Sequence, residues 1–235
     1  MTTGGDAAET RPRLRADARR NQEQILQAAR DVFFEDGTAA PLDEIARRAN
    51  VGIATLYRRF PDRTSLFRQL AVDGFEVVLA QARAARSVAE RPDADAPLLG
   101  IERFLLGMVE QRLRFVLPLY GGPVIDDEEA ASLRQAITSE LDALLALGRE
   151  RHAVRADVTS TDLIMAAAMI SRPLPNTPPD WVDTIARRHV AVHLDGMRPG
   201  GVHRLPDLAF TREDLERQIH RREVPVPGAA PGGQG

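Results

Sequence analysis

Residues 42–60, LDEIARRANVGIATLYRRF, constrain the fold more than any other stretch of the 235-residue chain. Leu42, Ile45, Ala46 and Ala49 recur at helical spacing, and Pro41 before them suits a first helical turn. Asn50 follows where the backbone needs a left-handed residue, a conformation Asn tolerates, and Val51-Gly52 complete a tight connection. A second short helix then runs from Ile53 until Pro61 stops it. At about 100° per residue, Ile53, Leu56, Tyr57 and Phe60 share one face of this helix, while Ala54, Thr55, Arg58 and Arg59 fall on the other. One side is therefore expected to pack, and the other to present small, hydroxyl and guanidinium groups outward.

The flanks extend this pattern. Ile25, Ala28, Ala29, Val32 and Phe33 mark a first helix from Asn21 to Asp36, stopped by Gly37. Pro61-Asp62 cap a longer helix that carries Leu66, Phe67 and Leu70 and continues to about Ser87. Helix, short helix, tight turn and short helix make a helix-turn-helix unit, whose second short helix lies in the DNA major groove. Arg58 or Arg59 could then donate a bidentate pair to guanine O6 and N7, and Thr55 could reach a thymine methyl or a phosphate. The Tyr57 hydroxyl and Arg63, at a helix N-terminus, suit phosphate contacts that fix register, with Tyr57 also serving the core.

Beyond residue 90 the chain continues as helices. They are expected at Leu98 to about Leu117, Asp127 to Arg151, Ser160 to Ser171 and Trp181 to Met197, separated by Pro- and Gly-rich links such as LPLYGGPVIDD and RPLPNTPPD. The Ser160 helix, STDLIMAAAMIS, is apolar nearly all round, so it belongs in a deep core or a subunit interface. A short charged helix is possible at 211–223, and the end, VPVPGAAPGGQG, is low in complexity. No strand pattern or internal repeat emerges, so the fold class is all-α.

The stretches EQILQAARDVFFEDG and PLDEIARRANVGIATLYRRFPDRTSLFRQL resemble the TetR family of transcriptional regulators. The specific match spans roughly residues 20 to 70, and IARRANVGIATLYRRF is its strongest part. The resemblance implies an N-terminal three-helix DNA-binding domain, then a larger helical effector-binding and dimerisation domain. It also implies a homodimer formed mainly by the last two long helices, double-stranded DNA with a two-fold operator as partner, and a small-molecule effector that releases a repressor. Carried over by position, it places Thr55, Tyr57 and Arg58 towards DNA and puts Arg63 where members usually have a phosphate-contacting lysine. Three positions depart from the pattern: Pro41 stands for a threonine that would contact phosphate, Asn50 for the turn glycine, and Ala54 for the glycine before Thr-Leu-Tyr. A backbone contact at Pro41 could remain. The expected organisation is a flexible basic arm at 1–18, a helix-turn-helix domain at 19–65, an effector-binding and dimerisation domain at 66–200, and a loosely ordered tail at 201–235.

Composition narrows the alternatives. The chain has no cysteine and no lysine, which excludes thiol nucleophiles, disulfides, a P-loop lysine and a Schiff-base lysine. Residues 11–20, RPRLRADARR, hold five arginines and a single acid, Asp17, a pattern shared by polyanion-binding arms and solvated termini. No secretory leader or membrane span is read, so a cytoplasmic location is expected. Catalytic frames such as GxSxG, HExxH and GxGxxG are missing, so no enzyme and no cofactor is expected. His189 and His193 have chelating spacing but no third ligand nearby in sequence, so no metal site is assigned. Phe104, Met108, Phe115, Met165 and Met169 supply adaptable apolar surface that fits either a core or an effector pocket. Core is the default, and Arg112, embedded in an apolar helix, and Tyr120 tilt some of them towards a pocket. Arg112 needs either an acid on a neighbouring helix or an anionic ligand, and the ion pair is preferred. The competing functional readings are a helical small-molecule-binding protein or enzyme without a DNA role, and an architectural DNA binder without an effector.

Overall fold

The computed structural model describes residues 6–111, 128–171, 177–201 and 203–206, with side chains at 6–19, 34 and 179–180 outside that description. All regular elements among the described residues are α-helices. They are α1 (Asp6–Glu35), α2 (Leu42–Arg48), α3 (Ile53–Arg59), α4 (Arg63–Ala89), α5 (Ala96–Glu110), α6 (Glu128–Glu150), α7 (Ser160–Ile170) and α8 (Pro179–Met197).

The local signals set these boundaries. Asp36 donates its N–H to Val32 O, and Gly37, at φ +83, turns the chain out of α1. Asn50 has φ +54, as its position requires; its N–H bonds Arg47 O and the Val51 N–H bonds Ala46 O, closing α2 with a left-handed cap. At α4, Asp62 accepts from the Ser65 N–H at 2.7 Å while Ser65 Oγ takes the Asp62 N–H, a reciprocal capping box. Thr159 and Asp162 form a second such box at α7.

One feature differs from the sequence expectation. Helix α1 begins at Asp6 rather than Asn21, so residues 6–18 of the expected arm are helical in backbone. The expected domain boundary at 65/66 falls inside α4, which serves two cores. Leu66, Phe67, Leu70 and Ala71 pack with Ile25, Val32, Phe33, Ile45, Leu56 and Phe60 in the N-terminal head. Val78, Leu79, Ala82, Ala85 and Ala89 pack with α5, α6, α7 and α8 in the body, where Phe104, Leu105, Met108, Leu141 and Leu144 are buried. Phe75 touches both clusters. The backbones of α4 and α5 approach so closely that a Cβ on Gly100 would sit 2.7 Å from Ala85 O, which explains a glycine inside an apolar helix.

The head is joined to the body by more than α4. Ala130, in the first turn of α6, is fully buried in the head's core, and Arg68 pairs with Glu129 at 2.8 Å beside it. Further along, Arg86 binds Glu140 at 2.9 Å and ties α4 to the middle of α6. The short segment 211–223, suggested as helical by its sequence, lies outside the described residues.

Candidate nucleic-acid interface

The seven residues of α3 can bury only a narrow stripe. Leu56 is fully buried and Phe60, which ends the helix, is 4% exposed. Ile53 at 37% and Tyr57 at 48% are exposed, which corrects their assignment to the packed face. Leu56 and Phe60 form one i, i+4 row against α1, α2 and α4; Ile53 and Tyr57 form the adjoining row, which no other element among the described residues covers. At about 100° per residue, Arg58 projects roughly opposite the midpoint of the buried row. Its side chain is exposed, and no hydrogen bond or ion pair within the described residues engages it. Thr55 is half-buried beside this surface, its N–H bonded to Gly52 O at 2.8 Å.

The neighbouring arginines are otherwise committed. Arg59 Nε donates to Gln22 Oε1 at 2.8 Å and its Nη2 reaches the same oxygen, tying α3 to α1. Arg47 forks onto Glu44 with bonds of 2.8 and 2.6 Å. Arg48 is held by Glu35 at 2.7 Å and by Glu44 at 3.1 Å. Hydrogen bonds from Arg47, then Arg48, lower the Glu44 carboxyl from its usual 4.5 to about 2. The α2 guanidiniums are matched by carboxylates, whereas Arg58 of α3 has no such partner among the described residues.

Pro41 is exposed and serves as the N-cap of α2 at φ −64, one residue earlier than the first turn expected for it. Arg63 does not reach outward. Its Nη1 donates to Thr38 O at 2.8 Å and its Nη2 to Ala40 O at 2.6 Å, with the guanidinium 5.9 Å from the Phe33 ring centroid. Gln22, which anchors Arg59, was missed by sequence reasoning; nothing in the local pattern distinguishes it from its neighbour Gln24.

Comparison with known proteins agrees with this geometry. Residues 25–70 match the family model described as bacterial regulatory proteins, tetR family, and residues 96–199 match the C-terminal domain of SbtR-like transcriptional regulators. A TetR transcription regulatory protein from Mycobacterium vanbaalenii is 31% identical, with 79% of this chain and 99% of that one covered at a TM-score of 0.52. The chain belongs to the TetR family. A TetR transcriptional regulator from Streptomyces coelicolor is 32% identical over 77% of this chain and 99% of its own, at a TM-score of 0.44. A tetR-family regulatory protein from Rhodococcus RHA1, 19% identical over 76% of this chain and 97% of its own, shares the fold at a TM-score of 0.59. No curated protein sequence matches the chain. This TetR-family member is thus a DNA-binding regulator of transcription and not an enzyme.

Of the residues expected to line an effector pocket, the four that are described divide between the core and the outer surface. Phe104 and Met108 are buried in the body core. Met165 and Met169 lie on the outer side of α7, 40% and 71% exposed, because a helix that is apolar all round can turn only part of its surface to its own chain. Arg112, Phe115 and Tyr120 lie outside the described residues. On α8, His193 Nδ1 bonds His189 O at 2.8 Å, and no group of three metal-binding side chains occurs among the described residues. No helix there is long and apolar enough to cross a membrane.

Proposed function

We infer that this TetR-family regulator works as a homodimeric repressor whose affinity for a two-fold operator falls when a small molecule binds the body. The observation that carries the reading is Arg58: an exposed guanidinium with no partner among the described residues, opposite the buried row of a helix-turn-helix second helix. A guanidinium there suits bidentate recognition of guanine in the major groove, with Thr55 and Tyr57 beside it for methyl and phosphate contacts.

Dimerisation is supported by the outer surface of α7 and α8. Met169, Val192 and Trp181 are 71%, 68% and 63% exposed, a density of large apolar side chains that a second copy would cover. Two recognition helices must reach major grooves about 34–36 Å apart, so a modest tilt of α4 alters their fit. The route for such a tilt is physical: α4 shares its residues between both cores, and the first turn of α6 packs directly on the head. Coupling of about 1–3 kcal/mol suffices for a usable switch. For the effector site we favour the end of α5, where Phe104 and Met108 lead into the Arg112, Phe115 and Tyr120 segment.

Selection of bound fragments from random DNA by the full-length protein tests the reading. A two-fold sequence is expected. Equal affinity for every duplex sinks it. Arg58→Ala should then relax base preference by about 1–3 kcal/mol at one position in each half-site, read from the binding of single-base operator variants.

A further inference from the structure

Arg63 occupies the first position of α4, where the family resemblance implies a phosphate contact. Here the guanidinium is turned inward and half-buried. It bridges two carbonyls, Thr38 O at 2.8 Å and Ala40 O at 2.6 Å, and sits 5.9 Å from the centroid of the Phe33 ring. Phe33 in turn stacks on Phe67 of α4, with centroids 4.8 Å apart and planes 24° from parallel. One side chain therefore joins the end of α1, the α1–α2 loop and the start of α4.

That loop governs where α2 and α3 sit. It turns at Gly37, closes with the Ala40 N–H on Gly37 O at 3.1 Å, and enters α2 through Pro41, which supplies no side-chain cap. After Pro41, α2 and α3 are bound to each other by the Asn50 turn and by Leu42, Ile45, Ala46 and Leu56 in one core. The fastening of the loop therefore contributes to the orientation of α3 relative to α1 and α4, alongside the Arg59–Gln22 and Arg48–Glu35 ties. A guanidinium can fasten it, because its planar fork meets two acceptors while its face lies over a ring. An ammonium group, a single compact charge, cannot reproduce both contacts.

We propose that Arg63 is a positioning residue for DNA recognition, a clamp that sets the α2–α3 unit against α1 and α4, and is not a phosphate contact. The proposal rests on the DNA-binding role of α3, and its test separates the two. Arg63→Lys and Arg63→Ala are measured against the wild-type protein on a duplex selected by the wild type and on a random duplex, across a salt series. Both variants should weaken binding to the selected duplex by about ten-fold or more, lose less on random DNA, and keep the wild-type salt dependence. A phosphate contact gives the opposite pattern. Arg63→Lys would then bind nearly as the wild type, and Arg63→Ala would lose equally on both duplexes with a salt slope shallower by about 0.9 per lost contact.

That second pattern overturns the proposal, as does wild-type behaviour of both variants. A purely structural role would lower the melting temperature and reduce binding to both duplexes by the same folded fraction, which also overturns it. If Arg63→Ala does not fold, the charge-retaining Arg63→Lys decides alone. A wild type without preference between the two duplexes would sink the DNA reading of α3 itself, an outcome distinct from any result on Arg63.

Discussion

Helices α3 and α5 show how differently the two halves of this regulator are made. Of the seven residues of α3, Leu56 alone is buried, whereas α5 buries ten of its fifteen, from Ala96 to Val109. The head surrounds a small core with a net of polar ties: Arg59 to Gln22, Arg48 to Glu35 and Glu44, Arg30 to Asp73 at 2.8 Å, and Arg63 to two carbonyls. The body has polar ties of its own, such as Arg86 to Glu140 and Arg155 to Asp157, but they surround a larger apolar core that buries Phe104, Ile101, Leu105 and Met108. A surface that must meet a charged duplex has little apolar area to hide, so orientation there falls to hydrogen bonds, which are directional. The body has no such constraint and gains its stability from area removed from water.

If this contrast is right, the largest loss of stability comes from the body. Phe104→Ala should cost about 3–5 kcal/mol, read from chemical denaturation, because it empties a buried site in the body core. A loss below about 1 kcal/mol would mean that the body is loosely packed there and would blur the contrast. Next in size, Met169→Asp should raise the dimer dissociation constant by about ten-fold or more in sedimentation, since it puts a carboxylate on the apolar surface proposed to meet the partner. An unchanged dimer would move the interface elsewhere.

In the head the expected effects are smaller. Asp62→Ala removes the cap of α4 and should cost about 0.5–2 kcal/mol, again by denaturation, while Asp62→Asn recovers most of it. Smallest is a pH effect. The folded Glu44 carboxyl titrates at about 2 instead of 4.5, so its contribution to stability is complete above about pH 4.5 and disappears as pH falls towards 2. The melting temperature of the wild type should therefore drop further than that of Glu44→Gln across this window. Parallel curves would show that the Arg47 and Arg48 forks add nothing.

Much of the head could be read in advance. The left-handed Asn50, the Gly37 stop, the Asp62 cap and the outward Arg58 are each specified within a few residues of sequence, and the structure has all four. The Ile53 and Tyr57 rows were harder, because periodicity gives the angle of a side chain but not the width of the surface that covers it. Arg63 was harder still. Its position at a helix start suited a phosphate, yet its acceptors lie more than twenty residues away in the chain, in a loop whose path no local pattern reveals. The apolar α7 carried its ambiguity openly: a core and an interface look alike in sequence, and Met165 and Met169 show that one helix contributes to the core on one side and leaves the other side uncovered.

By itself the sequence determined the all-α class, the turn between α2 and α3, the family and the side chain opposite the buried stripe, because all of these follow from backbone preferences and spacing acting over one or two turns. Tertiary structure alone decided which arginines remain free, how α4 divides between two cores, and that the first turn of α6 rests on the head. Those outcomes depend on which distant groups meet, and a guanidinium with a carbonyl, a carboxylate or a glutamine within reach takes that partner whatever its neighbours in the chain imply.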